Sequence, residues 1–106
     1  MKVKVWADTH STGLLDDLGG YIYQSETTIT DKTWAQLQDW VTKYDDVILM
    51  DDEERSENIE LINELDKIGL ELTKKIKQEW TYNLQGVKIS FEYYSEGKMD
   101  YIMNKE

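Results

Sequence analysis

Apolar and polar residues alternate at the start of the chain. Val3, Val5 and Ala7 fall on one side, Lys2, Lys4, Trp6 and Asp8 on the other. A period of two predicts a strand with one buried face. Thr9 to Gly20 holds three glycines and the Asp16-Asp17 pair and predicts a loop, with Leu14, Leu15 and Leu18 tucking it onto the core. Tyr21 to Gln24 is aromatic and β-branched, and predicts a short second strand in a hairpin with the first. The period then changes. Trp34, Leu37, Val41 and Tyr44 are spaced by 3, 4 and 3, and Trp40 widens the stripe. This predicts an amphipathic helix capped by Thr30 or Asp31.

Val47-Ile48-Leu49-Met50 is apolar throughout and lies between two pairs of aspartates. Periodicity leaves three options open there: more helix, a short strand, or a plug for the core. Ser56 can cap a second helix. Its apolar positions are Ile59, Ile62, Leu65, Ile68 or Gly69, Leu72, Ile76 and Trp80. They suit a helix of about six turns. Glu57 and Glu60 near its start and Lys74, Lys75 and Lys77 near its end complement the helix dipole. Gly86 is a natural stop. Val87 to Tyr93 alternates cleanly and predicts a strand, Ser95 to Lys98 a turn, and Met99 to Met103 a short final strand. The expected fold is α+β and two-layered, in ββααββ order. Two helices pack on one face of a mostly antiparallel sheet of about four strands, in a single domain spanning residues 1 to 106.

Composition narrows the class. Four Trp and seven Tyr argue for a packed core, since such rings are costly to leave in water. There is no cysteine, which excludes disulfides, thiolate zinc sites and cysteine nucleophiles, and fits a reducing compartment. No apolar run approaches the roughly 18 residues of a membrane span, and residues 1 to 8 lack the apolar stretch of a signal peptide. The expectation is a cytoplasmic protein. The formal net charge of −10 disfavours direct binding to nucleic acid or an anionic membrane and favours a cationic partner.

Asp8-Thr9-His10, at the end of the first strand, resembles the Asp-x-His that opens the metal site of calcineurin-like phosphoesterases. That resemblance implies a divalent ion shared by a carboxylate and an imidazole. It also implies further histidines, and His10 is the only one. The competing reading is that Asp8 and His10 pin the loop by hydrogen bonds. A triad of Asp8, His10 and Ser11 is disfavoured because adjacent residues rarely converge and no Gly-x-Ser-x-Gly turn is present. Gly19-Gly20 lacks the Lys-Ser/Thr of a phosphate loop and reads as a turn. No catalytic residue, metal ligand or cofactor is assigned.

Charge is concentrated in one place. Residues 45 to 60 hold Asp45, Asp46, Asp51, Asp52, Glu53, Glu54, Glu57 and Glu60 against Arg55 alone, so this stretch carries −7 of the net −10. Three readings compete. The acids can serve as a solvated helix start, stabilised by the dipole. They can form a calcium loop, although the alternation and glycine of an EF-hand are missing. Or they can form a binding surface for a basic partner, where clustered charge speeds encounter. Trp34, Trp40, Tyr44 and Trp80 fall at core positions. Trp6, Tyr23, Tyr93, Tyr94 and Tyr101 lie on strands, where alternate residues face out and can anchor a partner.

The run Trp6-Ala7-Asp8-x-His10-Ser11-x-Gly13, then Trp40 and Tyr44-Asp45, then a long Glu/Lys helix ending at Trp80, resembles a family of short, uncharacterised, acidic bacterial proteins. By size and charge the chain is also similar to toxin-immunity proteins and to small phage inhibitors, including anti-CRISPR and DNA-mimic proteins. That similarity implies a non-enzymatic inhibitor whose acidic stretch blocks a basic partner, such as a toxin nuclease or another nucleic-acid enzyme. The alternatives are a small metal-binding domain or metal-dependent hydrolase using Asp8 and His10, and a homo-oligomeric structural protein.

Overall fold

Val3 and Val5 are fully buried while Lys2, Lys4 and Trp6 face the other way, so strand β1 (Lys2–Trp6) has the two-sided character its alternation predicts. The structure is a computed structural model that describes residues 1–102. β1 is followed by β2 (Leu14–Leu15), a short 3₁₀ turn (Gln24–Glu26), and helices α1 (Asp31–Ile48), α2 (Asp52–Glu57) and α3 (Ile59–Glu79). Strands β3 (Ser90–Ser95) and β4 (Asp100–Ile102) close the chain. The sheet order is β2-β1-β3-β4. Its outer pairs are antiparallel, but the central pair is parallel, in register from Lys2↔Ser90 to Trp6↔Tyr94.

The sheet is therefore mixed, and the expectation of a mostly antiparallel one is corrected. The reason is the even number of passes that precede β3, in two out-and-back pairs. β1 and β2 form an antiparallel pair, which returns the chain to the end where β1 began. α1 and α3 then form a second out-and-back pair. The start of α1 lies beside the end of α3, where the Thr30 backbone N–H donates to Glu79 Oε1 at 2.8 Å. The chain re-enters beside its own beginning, with Ser90 N donating to Met1 O at 2.9 Å. A strand starting there and pairing with β1 has to run parallel to it.

Other boundaries moved for local reasons. The second strand is Leu14–Leu15, within the stretch expected to be loop, and Tyr21 makes only an isolated bridge to Leu15. Leu14 and Leu15 are both buried, on opposite faces, so no alternation marks them. Leu18 is 96% exposed and does not tuck inward. Val47 and Ile48 extend α1, so the first half of the apolar run is helix; Val47 is buried and Leu49, just past the end, is 84% exposed. Ser56 lies inside α2 rather than capping the second helix, which is broken at Asn58. Ile59 and Ile68 are partly exposed, and Gly69 takes the core position. A Cβ on Gly69 would overlap the Tyr93 ring and come within 2.7 Å of Trp40 Cζ2, so α3 can seat against both rings only with glycine here. Val87 is half exposed in a turn held by Asn83 Oδ1, and β3 starts at Ser90. Met103, expected in the final strand, lies outside the described residues.

The core lies between the layers. Val3, Val5 and Tyr93 from the sheet meet Leu37, Trp40, Val41 and Tyr44 of α1 and Ile62, Leu65, Leu72 and Ile76 of α3. The Trp40 indole N–H donates to Leu65 O at 2.9 Å, so this buried ring leaves no polar atom unpaired. Among the described residues no helix is long and apolar enough to cross a membrane.

Candidate protein-binding surface

The acidic stretch spans the junction of all three helices. Asp45 and Asp46 sit in the last turn of α1, Asp51 caps α2, and Asp52, Glu53 and Glu54 fill its first turn. Glu57 ends α2 and Glu60 opens α3. All eight side chains are exposed. The Asp51 carboxylate accepts the Glu54 backbone N–H at 2.8 Å. Among the described residues, the other seven carboxylates have no hydrogen-bond or ion-pair partner.

Local physics divides this group. A carboxylate capping a helix and acids in its first turn are stabilised by the free N–H groups and the positive end of the dipole. Asp51, Asp52, Glu53 and Glu54 therefore have a sufficient structural reason to be acidic. Asp45 and Asp46 do not. They lie at the negative end of an 18-residue helix whose last turn contains no basic residue. The dipole disfavours both.

Arg55 does not neutralise the group. Its side chain turns away from the carboxylates into the angle between α1 and the β3–β4 turn, and is only 13% exposed. Nε donates to Met50 O at 3.2 Å, one terminal nitrogen to Glu96 O at 2.8 Å and the other to Ile48 O at 3.4 Å. The second terminal nitrogen also lies 3.9 Å from Glu96 Oε1. Glu96 Oε2 in turn accepts the Trp6 indole N–H at 2.7 Å. The one cation of the stretch is thus spent on fixing how α2 leaves α1, and the outward face remains uncompensated.

The β3–β4 turn that receives Arg55 is held from beneath by a buried carboxylate. Asp66 of α3 is 2% exposed. Its Oδ1 accepts from the hydroxyls of Tyr44 and Tyr93, each at 2.7 Å, and its Oδ2 from Ser95 Oγ at 2.8 Å. Lys98 Nζ lies 3.6 Å from Oδ2. Tyr44 Oη also accepts the Gly97 backbone N–H at 3.0 Å. Burial, together with the Asp66 carboxylate, pushes both tyrosine hydroxyls well above their ordinary range. This network joins α1, α3 and the turn, and so sets the platform on which the acidic junction rests. The sequence carried a weak sign of it. Ile62, Asp66, Gly69, Thr73 and Ile76 are spaced by 4, 3, 4 and 3, which places an aspartate within an inward-facing row.

The Asp8-His10 pair has a different setting. Asp8 Oδ1 accepts the neighbouring Thr9 N–H at 2.8 Å, which is loop pinning of the kind expected. His10 is exposed and has a positive φ of 61°. Among the described residues its side chain has no partner; the anchors are Ser11 and Thr12, with Gln38 Nε2 donating to Thr12 O at 2.8 Å. Among the described residues, no three His, Asp or Glu side chains are placed to hold a metal ion. His10 instead borders a depression of about 450 Å³ whose other walls include Asp45, Ile48 and Leu49.

Of the aromatic residues expected on strands, Tyr93 faces inward and is fully buried, Tyr23 is 56% exposed, and Trp6, Tyr94 and Tyr101 cluster on the sheet face away from the helices. Within the acidic stretch the exposed apolar residues are Leu49, at 84%, and Ile59, at 45%. Comparison with protein-family models, with curated proteins and with solved structures finds no significant match to any of them.

Proposed function

We propose that this chain is a non-enzymatic, cytoplasmic inhibitor that binds a basic bacterial protein through the acidic α1–α2–α3 junction. The target class is a nucleic-acid enzyme such as a toxin nuclease, as in immunity proteins or phage counter-defence inhibitors. One observation carries the reading: residues 45 to 60 place eight exposed carboxylates at this junction, and Arg55, the one cation of that stretch, is turned inward. A surface of one sign raises the local concentration of oppositely charged partners and steers their approach. A groove that binds phosphates through lysine and arginine is complementary to it. Leu49, exposed between the Asp45-Asp46 and Asp51-Asp52 pairs, supplies an apolar contact that such a partner can cover.

The acids at the end of α1 support the same reading. A solvated helix start accounts for Asp51 to Glu54 but not for Asp45 and Asp46, which oppose the dipole. Charge kept against local stability is expected where a surface serves recognition.

The test is affinity capture from a bacterial extract with the intact chain, followed by nuclease assay of the captured protein. The expected result is a basic nuclease or other nucleic-acid enzyme whose activity falls as the chain is added. Capture of no basic protein, or of one whose activity is unchanged by excess chain, refutes the proposal.

A further inference from the structure

The sheet face away from the helices carries a second constellation. Lys4 points outward from β1, and its Nζ lies 5.3 Å from the ring centroid of Trp6, 5.8 Å from Tyr94 and 5.1 Å from Tyr101. All three distances fall within the range at which a ring face attracts a cation. The rings brace one another edge-to-face, Trp6 with Tyr94 at 5.1 Å and Tyr94 with Tyr101 at 4.9 Å. They form a three-sided wall around one ammonium. Glu92 is the direct cross-strand neighbour of Lys4, yet Lys4 forms no ion pair among the described residues. The rings, rather than a carboxylate, hold its charge.

The surroundings are negative. Glu96 accepts the Trp6 indole N–H and so fixes that ring. Asp16, Asp17 and Glu92 outnumber Lys2 and Lys4 around an adjoining depression of about 460 Å³ that Trp6 also lines. Burial, then Glu96 and Tyr101, hold the Tyr94 hydroxyl above its ordinary range. Aromatic faces with carboxylates around them are chemically suited to an alkylammonium ion.

We infer that this face is a recognition site for a lysine side chain presented by a partner protein, and that Lys4 occupies it in the free chain. Lys4 shows that a lysine ammonium fits. It is tied down by weak contacts at a partly exposed site and loses side-chain freedom there, so its hold is slight. The site is an open sheet face rather than an enclosed cavity, which suits a side chain delivered from another surface. The inference is independent of the acidic junction, because the rings would take a lysine whether or not Asp45 to Glu60 contact anything.

The test uses the ¹H–¹⁵N resonance of the Trp6 indole N–H. The probe is lysine blocked at both ends as Nα-acetyl-lysine methylamide, titrated at constant ionic strength. The Lys4→Ala and Lys4→Met variants should both show a saturable shift, and the unaltered chain should bind about threefold to thirtyfold more weakly because Lys4 competes. The uncharged norleucine analogue should give no shift, and Tyr101→Ala in the Lys4→Ala background should abolish the response. The inference is overturned if neither Lys4 variant responds or if norleucine matches lysine. It is equally overturned if the response survives Tyr101→Ala, or if tetramethylammonium binds and blocked lysine does not.

Discussion

Replacing Asp45 and Asp46 with asparagine should make the protein more stable. Both lie in the last turn of α1, where free carbonyls and the negative end of the dipole face them. Neither has an ion-pair or hydrogen-bond partner among the described residues, so nothing favourable is lost. Asparagine is nearly isosteric, and its helix propensity is close to that of aspartate. A misplaced charge at an exposed helix end costs about 0.3–1 kcal/mol, so the double variant should gain about 0.6–2 kcal/mol. Urea denaturation followed by tryptophan fluorescence measures this directly. With a slope of about 1–3 kcal/mol per molar for a small domain, the midpoint should rise by about 0.2–2 M, with the slope unchanged. The gain should shrink in ~1 M salt, where screening acts over about 3 Å. A variant that is no more stable than the parent at low salt refutes the reasoning, since Asp45 and Asp46 would then be ordinary surface residues with no cost to explain.

At the other end of the stretch, Asp51→Ala should act in the opposite sense and lower stability by about 1 kcal/mol, read by the same denaturation, because it removes the cap on α2. Tyr44→Phe should destabilise more than Tyr93→Phe, since it deprives both Asp66 and the Gly97 N–H of a partner; a urea midpoint lower for Tyr93→Phe contradicts the geometry. The raised pKa values of these two hydroxyls fix an alkaline limit. Their stabilising contribution is fully present below the unfolded-state value of 10.0, and is lost as pH rises above it, because the unfolded chain then releases protons that the folded chain retains. The slope should approach ~2.7 kcal/mol per pH unit for the pair and flatten in the double Phe variant. Glu79 works in reverse. Burial alone would raise its carboxyl, but hydrogen bonds from Thr33 and Thr30, with Lys75 nearby, more than offset this and hold it below the usual range. Its contribution is present above the unfolded-state value of 4.5 and lost as pH falls through the folded one, so Glu79→Gln should remove stability near neutrality and flatten that acid limb in a pH series of urea midpoints.

Strands β1 and β3 and helices α1 and α3 were legible because each has one wet face and one dry face, which writes a period into the sequence. β2 was not, because Leu14 and Leu15 are buried on both sides and lie beside a turn. The parallel centre followed from counting passes once the two longest strands were placed side by side, a placement that depends on tertiary packing rather than on any local pattern. The acidic stretch was legible as composition alone. Its division into acids that the helices favour and acids they oppose depends on where α1 ends, and Val47 to Met50 has no periodicity to mark that point. The inward turn of Arg55 was hidden because its partner, Glu96, lies 41 residues away. The Lys4 cage was hidden for the same reason: its rings come from β1, β3 and β4, and only the sheet register brings them together.

The most direct test of the acidic junction is the salt dependence of association with the captured basic partner, compared between the parent chain and Asp45→Asn/Asp46→Asn/Glu57→Gln/Glu60→Gln. These four positions leave the Asp51 cap and the first turn of α2 intact. The account predicts an association rate for the parent that falls at least about tenfold from low to high salt, and a variant that binds slowly at every salt concentration while folding at least as stably. A parent rate indifferent to salt, or a variant that binds as fast as the parent, contradicts it.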